Sequence, residues 1–93
     1  MAKFFSLGQV VATPGALALL DKHGKSPAEF LARHSENDWG NVPACDSSEN
    51  DLALENGDRI VSSYNLRADG SEKVWVITEW DRSVTTVLLP SEY

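Results

Sequence analysis

The stretch that decides the fold is residues 59–89, RIVSSYNLRADGSEKVWVITEWDRSVTTVLL. Ile60, Ser62, Tyr64 and Leu66 alternate with Val61, Ser63 and Asn65, a period of two that belongs to a strand and not a helix. Asp69-Gly70 is a turn signal, and Val74 to Trp80 is rich in β-branched and aromatic residues. A second turn at Asp81 to Ser83 leads into Val84-Thr85-Thr86-Val87-Leu88-Leu89, a last strand that Pro90 cuts off. Three strands joined by short turns predict an antiparallel meander. A two-residue hairpin at Asp69-Gly70 sets Tyr64 opposite Trp75 and Ser62 opposite Ile77, on the face that carries Ile60. The other face then holds Val61, Val74, Val76 and Trp80, which is too apolar to stand in water.

The chain before the meander is helical. Thr13-Pro14 reads as an N-cap with proline at the first helical position, and Ala16, Leu17, Leu19, Leu20 and His23 follow at helical spacing up to a stop at Gly24. Ser26-Pro27-Ala28-Glu29 has the form of a capping box, in which Ser26 takes the Glu29 N–H and the Glu29 carboxylate reaches back. Phe30, Leu31 and His34 give that second helix its apolar stripe, so residues 14–35 form a helix hairpin against one face of the sheet. A third, less strongly signalled helix runs from an Asp46/Glu49 capping pair through Leu52 and Ala53 to Asn56-Gly57. Phe4 to Ala12 supplies one short N-terminal strand, with Val10 and Val11 as its β-branched residues. The fold class is therefore α+β: an N-terminal strand and helix hairpin, with the third helix, on a C-terminal three- to four-stranded antiparallel meander. Ninety-three residues suffice for one core, so residues 1–93 are expected to form a single small domain. The second sheet face has to be covered by the Phe4–Val11 segment, by another copy of the chain or by a partner.

Composition narrows the function classes. Cys45 is the only cysteine, which rules out an intramolecular disulfide and points to a reducing compartment. The N-terminus lacks an apolar run of signal-peptide length and nothing approaches a membrane span, so a cytoplasmic protein without membrane attachment is expected. A net charge of −6 disfavours nucleic-acid binding. No metal is expected, because there is neither a CxxC nor an HxxxH, and His23 and His34 read as helix-end residues. No cofactor is expected either, because the P-loop lysine and the dinucleotide glycine spacing are missing; a serine nucleophile is unsupported too, since Ser47-Ser48 and Ser62-Ser63 lack a nucleophile elbow.

Two clusters remain as candidate binding residues. Asp38-Trp39-Gly40 puts an acid and an indole in a connecting loop, although a Trp there also serves to plug the core. Thr78, Glu79, Asp81, Arg82, Ser83, Thr85 and Thr86 gather hydroxyls, acids and one arginine around a single hairpin, with a solvated turn as the plainer alternative.

Leu7-Gly8, Ala12-Thr13-Pro14-Gly15-Ala16, Asp38-Trp39-Gly40, Asp46 with Asn50, Arg59–Ser62 with Tyr64, and Trp75-Val76-Ile77-Thr78-Glu79 form a pattern with Asp81-Arg82-Ser83, Thr85–Pro90 and Glu92-Tyr93. With that pattern the chain resembles, over nearly its whole length, a family of small uncharacterised bacterial proteins often encoded on plasmids and integrated mobile elements. The resemblance supplies no activity, cofactor or catalytic residue. It does imply a small residue, usually alanine, where Trp80 stands, so this hairpin is more apolar than its counterparts and a packing or partner role for Trp80 gains weight.

The leading expectation is a non-enzymatic binding or accessory module of a mobile element, acting through a protein partner or as a homo-oligomer through the second sheet face. The alternative is a small metal-independent RNA-cleaving enzyme or toxin with Glu79 as general base, Arg82 on the phosphate and Thr85 or Thr86 positioning it. A lesser alternative is an acidic DNA-mimic inhibitor built on Asp46, Glu49, Asp51, Glu55 and Asp58.

Overall fold

Helix starts and strand periods written in the sequence become three helices and one sheet in the computed structural model, which describes residues 5–42 and 44–93 and, of these, the side chains of all but 44–47. The elements are β1 (Gln9–Ala12), α1 (Pro14–Lys22), α2 (Pro27–Ser35), α3 (Ala44–Asn56), β2 (Ile60–Asn65), β3 (Lys73–Thr78), β4 (Val84–Leu88) and a 3-10 turn at Pro90–Glu92. The sheet order is β1-β4-β3-β2. The β2-β3-β4 meander is antiparallel, whereas β1 lies parallel to β4, so the sheet is mixed. Phe4, where the first strand was expected to begin, and the Asp46 side chain lie outside the described part.

The α+β class and the helix hairpin agree with the sequence. Thr13 caps α1 by accepting the Ala16 N–H at 3.1 Å, with Pro14 at the first helical position. Ser26 differs from expectation: its side chain makes no cap bond, and Glu29 instead meets Lys25 at 3.6 Å, an i,i+4 pair. Helix α3 starts at Ala44, so Asp46 falls inside its first turn and does not precede it. Ala53 packs against Ile60 and Trp39 as expected, but Leu52 is 59% exposed and Leu54 takes its place.

The hairpin register is the main correction. Tyr64 pairs with Val74 and Ser63 with Trp75, one residue away from the expected alignment. The cause is a bulge: the N–H groups of Leu66 and Arg67 both donate to the Glu72 carbonyl, at 2.7 and 3.3 Å, so two residues of one strand oppose one of the other. Beyond it Arg67–Gly70 turns with the Gly70 N–H on the Arg67 carbonyl and Gly70 at φ +74°, a conformation for which a glycine has no steric penalty. Because side chains alternate, one extra residue exchanges the faces. Tyr64, Ser62 and Ile60 share their face with Val74, Val76 and Thr78, while Trp75 and Ile77 lie on the other with Val61 and Ser63. Strand β3 ends at Thr78, and Trp80 stands in the turn and not on the sheet.

Onto the first face α1 and α2 bring Ala16, Leu20 and Phe30, which close a core with Tyr64, Val74, Val76 and Val87. The N-terminal strand does not cover the second face, as one expectation had it, but extends the sheet in its own plane. That face instead receives Tyr93, whose ring meets Trp75 edge-on at 5.7 Å. Strand β2 is an edge whose outer backbone groups are capped: Asn50 pairs its amide with Val61 N–H and C=O, Ser63 bridges to residues 39–41, and Asn41 Oδ1 accepts the Asn65 N–H.

The register has a direct test. Tyr64 is fully buried, so Tyr64→Ala is expected to cost about 3–5 kcal/mol, whereas the partly exposed Trp75→Ala costs clearly less. Equal losses in urea denaturation would contradict this register.

Candidate functional site

The two hairpins of the meander share one turn design. Asp69-Gly70-Ser71 and Asp81-Arg82-Ser83 each fold so that the aspartate Oδ1 accepts both the N–H and the hydroxyl of the serine two residues on. The residue between them donates its N–H three residues back, Gly70 to Arg67 and Arg82 to Glu79, both at 2.9 Å. Arg82 therefore occupies the left-handed position that a glycine fills in the first hairpin, at φ +60°. Its guanidinium offsets that strain by reaching the carbonyls of Asp58 at 2.6 Å, Ala53 at 3.1 Å, Glu79 at 3.1 Å and Trp80 at 3.4 Å. It ties the end of α3 and the chain leading into β2 to the β3-β4 turn.

The hydroxyls of the same hairpin separate by strand period. Thr78 and Thr85 are cross-strand partners on the helix face and fully buried, whereas Thr86 points to the opposite face. Glu79 is half-buried, and Asp81 and Ser83 are exposed and bonded to each other. Asp38 is held by Arg33 at 2.7 Å and by the Gly40 N–H at 3.1 Å. The Arg33 hydrogen bond, helped by Gly40, keeps its carboxyl below the ordinary carboxylate value. Trp39 is buried, donating its indole N–H to Asp51 at 3.2 Å. The exposed Asp38, Asp81 and Ser83 thus bond locally, whereas Trp39 and Thr78, one from each cluster, both border a single buried side chain of α2.

The titratable group at the centre of the core is His34, which the sequence presents only as a helix-end imidazole on an apolar stripe. It projects from α2 into the core, fully buried, with Nδ1 2.5 Å from Ser62 Oγ and Nε2 2.9 Å from Thr78 Oγ1. Thr78 Oγ1 lies 2.7 Å from Thr85 Oγ1, and Thr85 reaches the Leu7 carbonyl at 2.7 Å. The proton order follows from the last acceptor. A carbonyl only accepts, so Thr85 donates to Leu7, Thr78 donates to Thr85, and Thr78 has only a lone pair left for the imidazole. Nε2 therefore carries the proton, and Nδ1 accepts from Ser62. Phe5 and Trp39 close the ring of aromatic neighbours, edge-on at 5.3 and 5.8 Å. Burial, with the Arg82 charge adding to it, pushes the imidazole down to about 4. The sequence signal was present in His34 lying on the apolar stripe with Phe30, and in hydroxyls at alternate core positions of three strands.

A cleft of about 680 Å³ opens on the second sheet face beside α3, with Val61, Ser63 and Trp75 as its floor and Glu49, Asp58, Arg59 and Lys73 around it. Trp80 is 67% exposed at the hairpin tip, and Val10, at 45%, is exposed on the edge strand β1. Among the described residues no helix is long and apolar enough to cross a membrane. Compared with family models, curated proteins and solved structures, the chain matches none.

Two outcomes test these assignments. An imidazole at 6.5 when unfolded and about 4 when folded contributes stability that is complete above pH 6.5 and lost as the pH falls toward 4, up to about 3 kcal/mol. Carboxylates such as Asp38 lose theirs only lower, so His34→Gln should flatten the unfolding free energy between pH 6.5 and 4, and a curve parallel to wild type would refute the relay. Arg82→Ala is expected to cost about 2–3 kcal/mol in thermal or urea unfolding. Arg82→Gly should regain about 1 kcal/mol of that by removing the left-handed strain.

Proposed function

We propose that the chain is a non-catalytic binding module that acts through a protein partner, in keeping with the mobile-element family it resembles. The observation that carries this reading is the division of labour in the Trp80–Ser83 turn. Its one arginine is committed to four backbone carbonyls, while its indole stands 67% exposed. A large aromatic in water, held on a turn that a charged staple makes rigid, suits the anchor of a protein contact. Leu52 is next in sequence to Ala53, whose carbonyl binds the same guanidinium, so a second exposed apolar side chain stands near that end of the molecule. The RNA-cleaving alternative has less support, since an Arg82 bonded to four carbonyls is poorly free to meet a phosphate and Thr85 is buried.

Affinity capture from the host, read by mass spectrometry, tests the reading with wild type and Trp80→Ala side by side. The variant is expected to keep its melting temperature, because an exposed position changes stability by about 0.5 kcal/mol or less, and to lose the partner. Equal capture by both, or RNA cleavage by the purified wild type, would overturn it.

A further inference from the structure

The cleft beside α3 has an order along β2 that a general polar surface would lack. Cross-strand register sets Trp75 level with Ser63, and Lys73 level with Asn65, on the same face. On the other side of Trp75, Asn50 holds the Val61 backbone, and its neighbour Glu49 lines the cleft together with Val61. Asp58 and Arg59 stand beyond, ahead of Ile60. Lys73 and Trp75 thus follow one another at a step of two residues, about 7 Å along an extended chain, and the Glu49 carboxylate lines the same cleft from α3. Neither Lys73 nor Glu49 has an ion-pair partner among the described residues. From Lys73, level with Asn65, to Val61 the lining covers four residue steps of β2, about 13 Å at strand rise, room for about four residues of an extended segment.

We propose that this cleft is a groove for an extended segment of a partner protein that carries an acidic, an apolar and a basic side chain at alternate positions. Laid along β2, such a segment turns every second side chain to the floor: the acid meets Lys73, the apolar residue packs on Trp75 and Val61, and the base meets Glu49 with Asp58 behind it. Ser63, beneath the centre, has a hydroxyl for the segment's backbone. Trp75 is already half of an aromatic corner with Tyr93, over which the Arg59 guanidinium lies at 5.4 Å, so the indole is fixed before anything binds.

The proposal rests on the binding-module reading and adds the chemistry of the partner, yet the two fail separately. The probes are alanine-based heptapeptides, acetylated and amidated, with aspartate, leucine and lysine at alternate positions in either order. A neutral version has serines for the charges, and another has lysine at both outer positions. Binding is read from amide shifts of the labelled protein. One mixed-charge order is expected to bind about tenfold tighter than the neutral and the double-lysine peptides, with shifts at Ser63, Lys73 and Trp75. Lys73→Glu, a change on a partly exposed strand position, should reverse the preference toward double lysine, and folding of that variant is read in the same spectra. No preference among the peptides on wild type, or the same order of preference on Lys73→Glu, would overturn the groove. So would a matched single-stranded oligonucleotide that shifts these residues when the peptides do not. Partner capture lost in Trp80→Ala without any peptide preference sinks the groove alone; a peptide preference without capture sinks only the Trp80 surface.

Discussion

One backbone irregularity, the bulge in which Leu66 and Arg67 share the Glu72 carbonyl, governs the rest of the molecule. It decides that Tyr64 and Ser62 look to the same side as Val74, Val76 and Thr78. Without the extra residue Val74 and Val76 would face away from the helices, and Phe30 and Leu20 would pack on Trp75 and Ile77. With it, the helix face gains a core of modest side chains and one tyrosine, whose hydroxyl donates to the Asp38 carbonyl at 2.7 Å. The same shift places a tryptophan on the opposite face, where it becomes part of a cleft and not of the core.

Setting Ser62 and Thr78 on the helix face creates a difficulty that His34 resolves. Hydroxyls in a dry core must find partners, and an unpaired one costs about 1–3 kcal/mol. A neutral imidazole with one donor and one acceptor suits two hydroxyls, provided the chain of donors ends on something that only accepts. The Leu7 carbonyl is that end, so the relay also fastens the segment before β1 to the sheet. The polar chain specifies which residue of α2 points inward, and its full satisfaction is what makes it tolerable in the interior.

Arg82 performs the corresponding task at the surface. It stands in a left-handed turn position that favours glycine, and it joins three segments of backbone through their carbonyls. A residue type that sequence reasoning associates with phosphate recognition is here a structural tie. The consequence for function is a rigid hairpin tip whose outward feature is an indole.

Helix and strand identities, the α+β class, the Thr13 cap and the turns at Asp69-Gly70 and Asp81–Ser83 were legible in the sequence, because each depends on residues a few positions apart. The pairing of Tyr64 was not, since a bulge is a choice between two hydrogen-bond patterns that the same turn residues permit. His34 looked like a helix-end imidazole, and Thr78 and Thr85 like hairpin hydroxyls. Only the packing of α2 across three strands shows that they bond to one another. The parallel place of β1 next to β4 was equally beyond local signals, because it pairs residues more than seventy positions apart. Sequence determined the elements through short-range sterics and periodicity. Tertiary structure decided the faces, the register and the partners of the buried polar side chains, because those depend on which distant backbone group or hydroxyl lies within hydrogen-bond reach.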